Sequence, residues 1–212
     1  MARRKKEPPS AHRERIAAAA SKVFSEKGTA SVTMDEIAKA AGYSKATLYV
    51  YFQNKEEIVG FLVLESMKTL SRAITAALEQ EEDSRTRYDR ICQKLVQYQE
   101  EYPFYFQMVL QQINIDFSRE DCLPEEKETY QVGEEINAAL LTFLRTGIEK
   151  GELREDLPLI PTIFHIWGML SGLIQLAVNK EDYIKETMGL TKEQFLAGGF
   201  HTLYSSIQKT KG

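Results

Sequence analysis

The chain has 212 residues, of which 43% are hydrophobic and 27% charged, and a formal net charge of −4. This is the balance of an ordinary globular protein, long enough for one large domain or for a small one joined to a larger. Its two cysteines, Cys92 and Cys122, form no CxxC pair and no ligand cluster with the three histidines, which leaves no metal motif and fits a reduced, cytoplasmic compartment. The charge is uneven: residues 1–56 hold 11 Lys and Arg against 6 Asp and Glu, whereas residues 57–212 hold 16 against 25. A basic head on an acidic body suits a chain whose head meets a polyanion.

Residues 1–9, MARRKKEPP, are basic and end in a Pro pair. They read either as an arm that follows phosphates or enters a minor groove, or as a solvated tail. No apolar run follows the charged N-terminus, so no signal peptide is expected. Ser10 is placed to cap a first helix. Its Ile16, Ala19, Ala20, Val23 and Phe24 recur at helical spacing, and Gly28 closes it.

Thr33 to Phe52 reads as two short helices about a tight turn. Thr33 and Glu36 make a capping box, and Ile37, Ala38 and Ala41 give the first helix its apolar residues. Gly42 supplies the turn, and Ser44 caps a second helix carrying Leu48 and Phe52. This is the pattern of a helix-turn-helix, whose second helix leads into the DNA major groove with its N-terminal residues. An ordinary helical hairpin with solvated polar residues has the same pattern. On the first reading, the short side chains of Ser44, Ala46 and Thr47 admit the backbone close to bases and phosphates. Lys45 and Thr47 then lie nearest the bases, and Tyr49 and Tyr51 extend hydroxyls to phosphates. Lys55 opens the next helix, where the N-terminal dipole favours a phosphate. Thr33, at the start of the first helix, completes the candidate DNA contacts.

From about Arg15 to Glu57 the sequence resembles the DNA-binding domain of the tetracycline-repressor (TetR) family. The matching residues are Ile16, Ala19, Ala20, Val23-Phe24, Gly28, Thr33, Glu36-Ile37-Ala38, Ala41-Gly42, Ser44, Thr47-Leu48-Tyr49, Tyr51-Phe52 and Lys55-Glu56. They span roughly the first quarter of the chain. Tyr43 stands where the family often has an aliphatic residue, and Val50 where it often has a polar one. The resemblance implies an all-α fold, with a three-helix helix-turn-helix domain in residues 1–56 and a helical effector-binding and dimerisation domain in residues 57–212.

Asn54 with Glu57 makes another capping box and starts a long helix to about Gln80, which links head to body. Glu79 to Arg87 is charged and marks a loop and a new helix start. Tyr88, Ile91, Cys92, Leu95 and Val96 then carry a helical stripe, and Pro103 breaks the chain after Tyr102. Phe104, Tyr105, Phe106, Met108, Val109 and Leu110 follow. Singly these residues suit a core; together with Phe117 and Phe164 they suit a cavity for a largely apolar or aromatic ligand. Tyr98, Tyr102, Tyr105, Met108, Phe143, His165 and Trp167 are the candidates to line it, with His165 read as a core or cavity histidine.

Asp116 to Leu123 reads as a loop. Pro124 suits the first turn of a helix with Ile136, Leu140, Phe143, Leu144 and Ile148 on its buried face and Gly151 at its end. Leu157 to Asn179 carries no charge and is long enough to span a bilayer. Its two prolines and its polar His165, Ser171 and Gln175 favour a buried helix in a soluble protein, without a membrane. Gly168, Ser171 and Gly172 are small, as are Ala197, Gly198 and Gly199 in the last helix, which Thr191 and Gln194 box. Small residues offset their helix cost where another helix approaches closely. These two helices either pack within one subunit or form a four-helix interface between two. In the resembled family the last two long helices form the dimer interface, so Gly168, Ser171, Gly172, Gln175, Gly199 and Leu203 are candidate contacts.

No HExxH, GxSxG, Gly-rich phosphate loop or paired ExxH motif supports an enzyme, and no cofactor is expected. His12 is expected on the surface. The expectation is a homodimeric regulator that binds palindromic double-stranded operator DNA and senses a small molecule. Repression, in place of activation, is implied by the resemblance alone. A helical interaction module without DNA is the alternative, and it needs no basic head.

Overall fold

The computed structural model describes residues 7–79, 82–111 and 122–210, the side chains of 108–111 excepted. The basic arm up to Lys6, the greater part of the expected loop at 116–123, Phe117 and the Met108 side chain therefore lie outside the described residues. Ten helices follow one another among the described residues: α1 Pro9–Lys27, α2 Met34–Ala41, α3 Lys45–Tyr51, α4 Lys55–Leu78, α5 Ser84–Glu101, α6 Pro103–Gln111, α7 Pro124–Glu149, α8 Leu159–Asn179, α9 Glu181–Met188 and α10 Lys192–Ile207. The β pairing among the described residues is a single isolated bridge, Leu153 to Gln208. The fold is all-α, as expected.

The chain divides into two compact units. The first takes in residues up to Ser66 together with the stretch ending at Tyr130; the second holds 67–111 and 131–212. In the first unit α1 and α2 both pack on α3 and on each other. Ile16, Ala20, Phe24, Val32, Ile37, Leu48, Phe52 and Ile58 make its core, all almost fully buried. Burying one such side chain contributes roughly 1.5–3 kcal/mol, which lets a unit of short helices hold together. Helix α1 starts on Pro9 with Pro8 as its N-cap and no side-chain cap, so Ser10 lies inside the helix and does not cap it. A proline in the first turn loses no hydrogen bond that the helix could have made.

Arg13 of α1 ties this unit together. Its guanidinium lies 4.5 Å from the centroid of Phe52 and 5.2 Å from that of Phe61. It also donates to Glu57 at 3.1 Å and to Glu125, in the first turn of α7, at 2.7 Å. Asn54 accepts from the Glu57 amide at 2.8 Å, while the Glu57 carboxylate accepts from the Gln53 amide at 2.7 Å. The box expected at Asn54 therefore closes one residue further back.

In the second unit α8 packs against α5, α9 and α10. It contributes Ile163, Ile166, Leu170, Ile174 and Ala177 to the core, opposite a face that stays open. By length and composition α8 alone among the described residues could cross a bilayer. The turn after α7 is stapled in place. Glu152 accepts from the Ser84 amide at 2.7 Å and its hydroxyl at 2.6 Å. The Arg154 amide donates to Ile207 at 3.0 Å, and the Lys209 amide to Glu152 at 2.9 Å. Gly147, expected only to weaken the end of α7, has a packing reason: a methyl group there would sit 2.5 Å from Leu153 and 2.6 Å from the Ser84 hydroxyl.

Candidate functional site

The local geometry around α2 and α3 follows from the capping residues. Thr33 accepts from the Glu36 amide, and Glu36 returns a carboxylate to the Thr33 amide, closing the expected box. Hydrogen bonds from Lys27 and then from Thr33 hold the Glu36 carboxyl down at about 2. Gly42 ends α2 in the left-handed region at φ 73°, ψ 26°, a conformation that favours glycine. Ser44 then caps α3 by accepting from the Thr47 amide at 3.1 Å. The result is an α3 whose N-terminal end carries Ser44, Lys45 and Ala46, all exposed, with Leu48 facing inward.

The residues singled out for DNA separate into two groups. Ser44, Lys45, Ala46, Thr47 and Tyr49 gather on the exposed side of α3, with Thr47 partly covered, and Thr33 stands exposed at the start of α2. Lys45 is paired with Asp35 at 2.8 Å, and that hydrogen bond raises the lysine pKa. An exposed pair of this kind contributes little and exchanges readily for a phosphate or base. Tyr51 turns back onto α1, where it stacks on His12 at 5.0 Å between centroids.

Lys55 is the clear departure. Its ammonium donates to the carbonyls of Thr29 at 2.6 Å, Val32 at 3.2 Å and Ala30 at 3.4 Å. Three carbonyls match the three donors of an ammonium, so its charge closes the α1–α2 turn instead of pointing at a phosphate. His12, expected on the surface, is three-quarters covered and bonded to Tyr43 at 2.7 Å. The aromatic Tyr43, at a position where an aliphatic residue is usual, was the one sequence signal for that contact.

Among the rings, Tyr98, Tyr102, Tyr105 and Phe106 gather at the α5–α6 junction, with centroids of neighbouring pairs 5.5–6.3 Å apart. Tyr98, Tyr105, Phe106 and Phe143 are buried, and Trp167 is partly so. His165 is exposed on α8, as is Phe164, so neither belongs to that interior. The reason is register: both fall on the side of α8 opposite Ile163, Ile166 and Leu170. A shallow cleft of about 250 Å³ elsewhere is lined by Leu176, Lys180, Tyr183, Ile184, Met188 and Phe195, none of them singled out from the sequence.

The small residues of α8 and α10 also separate. Gly168 and Gly172 are exposed with open space where a side chain would go. Ser171 is buried, and Gly199 packs on Leu173 of the same chain, where a methyl group would fall 2.3 Å from that side chain. Gly199 therefore serves the α8–α10 contact within the subunit, and Ser171 lies in the subunit's own interior. Gln175 is half-buried and donates to Asn179 at 2.9 Å, and Leu203 is half-buried.

Residues 16–60 match the family model described as bacterial regulatory proteins, tetR family. Over these residues the chain is similar to the tetR family. An HTH-type transcriptional regulator of Mycobacterium tuberculosis is 44% identical over 61 residues, which is 29% of this chain and 30% of that protein. The match thus spans about a third of that relative's length. The fatty acid metabolism regulator protein of Bacillus subtilis is 25% identical over 86% of this chain and 92% of its own. The solved structure of the fatty acid degradation regulator FadR from Bacillus halodurans superposes with a TM-score of 0.71 at 20% identity, over 94% of this chain and 97% of that one. At that identity the likeness shows a shared fold over nearly all of the chain and carries no ligand with it.

Proposed function

We propose that this chain is a ligand-responsive transcriptional regulator of the tetR family, a repressor, that binds a palindromic DNA operator as a homodimer. The observation that supports this most is the exposed N-terminal end of α3, with Ser44, Lys45, Ala46 and Thr47 presented on a helix fixed by caps and a left-handed glycine turn. Such an end enters a major groove with short side chains against base edges. Thr33, Tyr49 and Lys45 supply flanking contacts, and Lys55 holds the turn that supports them.

The effector is apolar or aromatic. The ring cluster of Tyr98, Tyr102, Tyr105 and Phe106, with Phe143 and Trp167, suits such a molecule, fixed by a few hydrogen bonds. Similar proteins named for fatty acid metabolism accord with an apolar ligand. The effector releases DNA by its differential affinity for two arrangements of the chain, with α4, continuous from Lys55 to Leu78, as the connecting element. A coupling of about 1–3 kcal/mol is typical, and operator DNA must weaken effector binding by the same factor.

Selection of bound duplexes from a random pool tests the reading. The expected product is an inverted repeat with half-site centres about 34–36 Å apart, or slightly more on deformed DNA. A pool that shows no enrichment, or a single asymmetric half-site, would sink it.

A further inference from the structure

Tyr43 is the residue just before the N-cap of α3, and it is pinned at both ends. Its amide donates to the Ala38 carbonyl at 2.9 Å, which ties it to α2. Its phenol oxygen lies 2.7 Å from His12 Nδ1 and accepts from Arg15 Nη1 at 3.0 Å, which ties it to α1. Arg15 is itself anchored by Glu7 at 3.0 Å, and the Glu7 carboxylate lies 3.8 Å from His12 Nε2. The same imidazole lies flat on Tyr51, at the far end of α3, with 21° between planes. Tyr43 and Tyr51 meet edge to face at 6.3 Å.

Helix α3 is only seven residues long and buries one side chain fully, Leu48. Together with the C-cap Phe52, also fully buried, Leu48 fixes the C-terminal half of the helix, whereas the leading residues Ser44 to Thr47 bury no side chain fully. The two tyrosines bracket α3, and His12 touches both. The phenol of Tyr43 has one proton and two acceptor sites. Arg15 uses one of those acceptor sites, which leaves the phenol proton and the second acceptor site to pair with His12 Nδ1 in either tautomer of the imidazole.

We propose that His12 and Arg15, acting through Tyr43, set the orientation of the recognition helix, and so determine which operator the protein prefers. They are positioning residues: α1 contributes to sequence selectivity without reading a base. This rests on the DNA-binding reading given above. Base contacts need tighter geometry than phosphate contacts, because a tilted helix can still neutralise a backbone that runs past it. Loosening α3 therefore lowers specific affinity while non-specific affinity and its salt dependence stay.

The test measures the affinity of the full-length protein for the best duplex from the random pool and for a scrambled duplex, over a range of salt. Tyr43→Phe removes only the hydroxyl and keeps the ring. It is expected to lower the ratio of the two affinities about fivefold, the equivalent of one net hydrogen bond, with an unchanged salt slope. His12→Ala is expected to lower the ratio further, and His12→Gln, which can still bond the phenol, to recover part of it. Thermal melts of each variant confirm that the head stays folded. An unchanged ratio in Tyr43→Phe overturns the inference, as does an equal loss on both duplexes, which would make these residues plain backbone contacts. A wild-type protein with no preference among duplexes overturns the DNA-binding reading itself.

Discussion

Replacing Gly172 by alanine separates what α8 does for its own chain from any part it has in the homodimer proposed above. A glycine in a helix interior costs about 1 kcal/mol relative to alanine. At Gly172 and at Gly168, one turn earlier, a built Cβ meets no atom within 4 Å. Nothing in the subunit opposes the gain, so each substitution should stabilise the isolated chain by roughly 1 kcal/mol, or about 2–4 °C in a chain of this size. If two copies associate across this face, the methyl groups hold the partner helices apart, and the dimer dissociation constant rises. DNA affinity should fall with it, since two recognition helices must keep a fixed separation. Gly199 is the control: its Cβ would lie 2.3 Å from Leu173 Cδ2, so a large residue there strains the subunit before it reaches any partner. Sedimentation across a concentration range reads the association. Urea denaturation at a concentration where the protein is monomeric reads the stability. Weaker self-association with a more stable monomer is the expected pair. Unchanged self-association in Gly172→Ala, and also in Gly172→Glu, would remove the α8 face from the interface.

Two shorter predictions concern side chains whose roles the fold reassigns or fixes. Lys55→Met should lower the stability of the first unit by about 1.5–3 kcal/mol, because three carbonyls lose a charged donor, yet leave the salt slope of the proposed DNA binding unchanged. A slope lower by about one with stability intact would return Lys55 to the phosphates. Burial pushes the Cys92 thiol up to about 12, whereas Cys122 is only half-covered. A thiol-reactive dye at neutral pH should therefore label one cysteine per native chain and two after denaturation, with Cys122 identified by mass spectrometry. Rapid labelling of both in the native protein would contradict the packing around Cys92.

The sequence was most informative where one residue type has one structural use. The Thr33–Glu36 and Thr191–Gln194 boxes, the turn at Gly42 and the cap at Ser44 depend on contacts within a few residues, and all appear as read. The core of the head was legible for the same reason, since period and apolar type together name Ile16, Phe24, Ile37 and Leu48. Long-range polar contacts were not. Lys55 sits at a helix start in both readings. Only its distance from the Thr29–Val32 carbonyls, more than twenty residues away in sequence, decides between a phosphate ligand and a turn clamp. His12 and Tyr43 lie 31 residues apart and share no pattern. Helix α9 also went unread: Glu181–Met188 is short, polar and buries one residue fully, Ile184, so its period is faint.

Helix α8 shows where composition misleads about faces. A stretch without charge, apolar on every side, implies burial on every side. Within one subunit α8 buries only the side that carries Ile163, Ile166, Leu170 and Ile174. Ile160, Phe164, Met169 and Leu176 stay exposed on the other, between 39% and 55%, and Gly168 and Gly172 lie among them. Large side chains flanking small ones make a surface that a second helix can approach closely, and water gains nothing from that shape. His165 shares this side and lies on the open face, outside the ring interior. The uncharged run, read from sequence as one buried helix, therefore encodes two surfaces. One is used by the chain itself, and the other has the chemistry of an interface between copies; if two copies meet there, the glycine substitutions act on that association and on the fold with opposite signs.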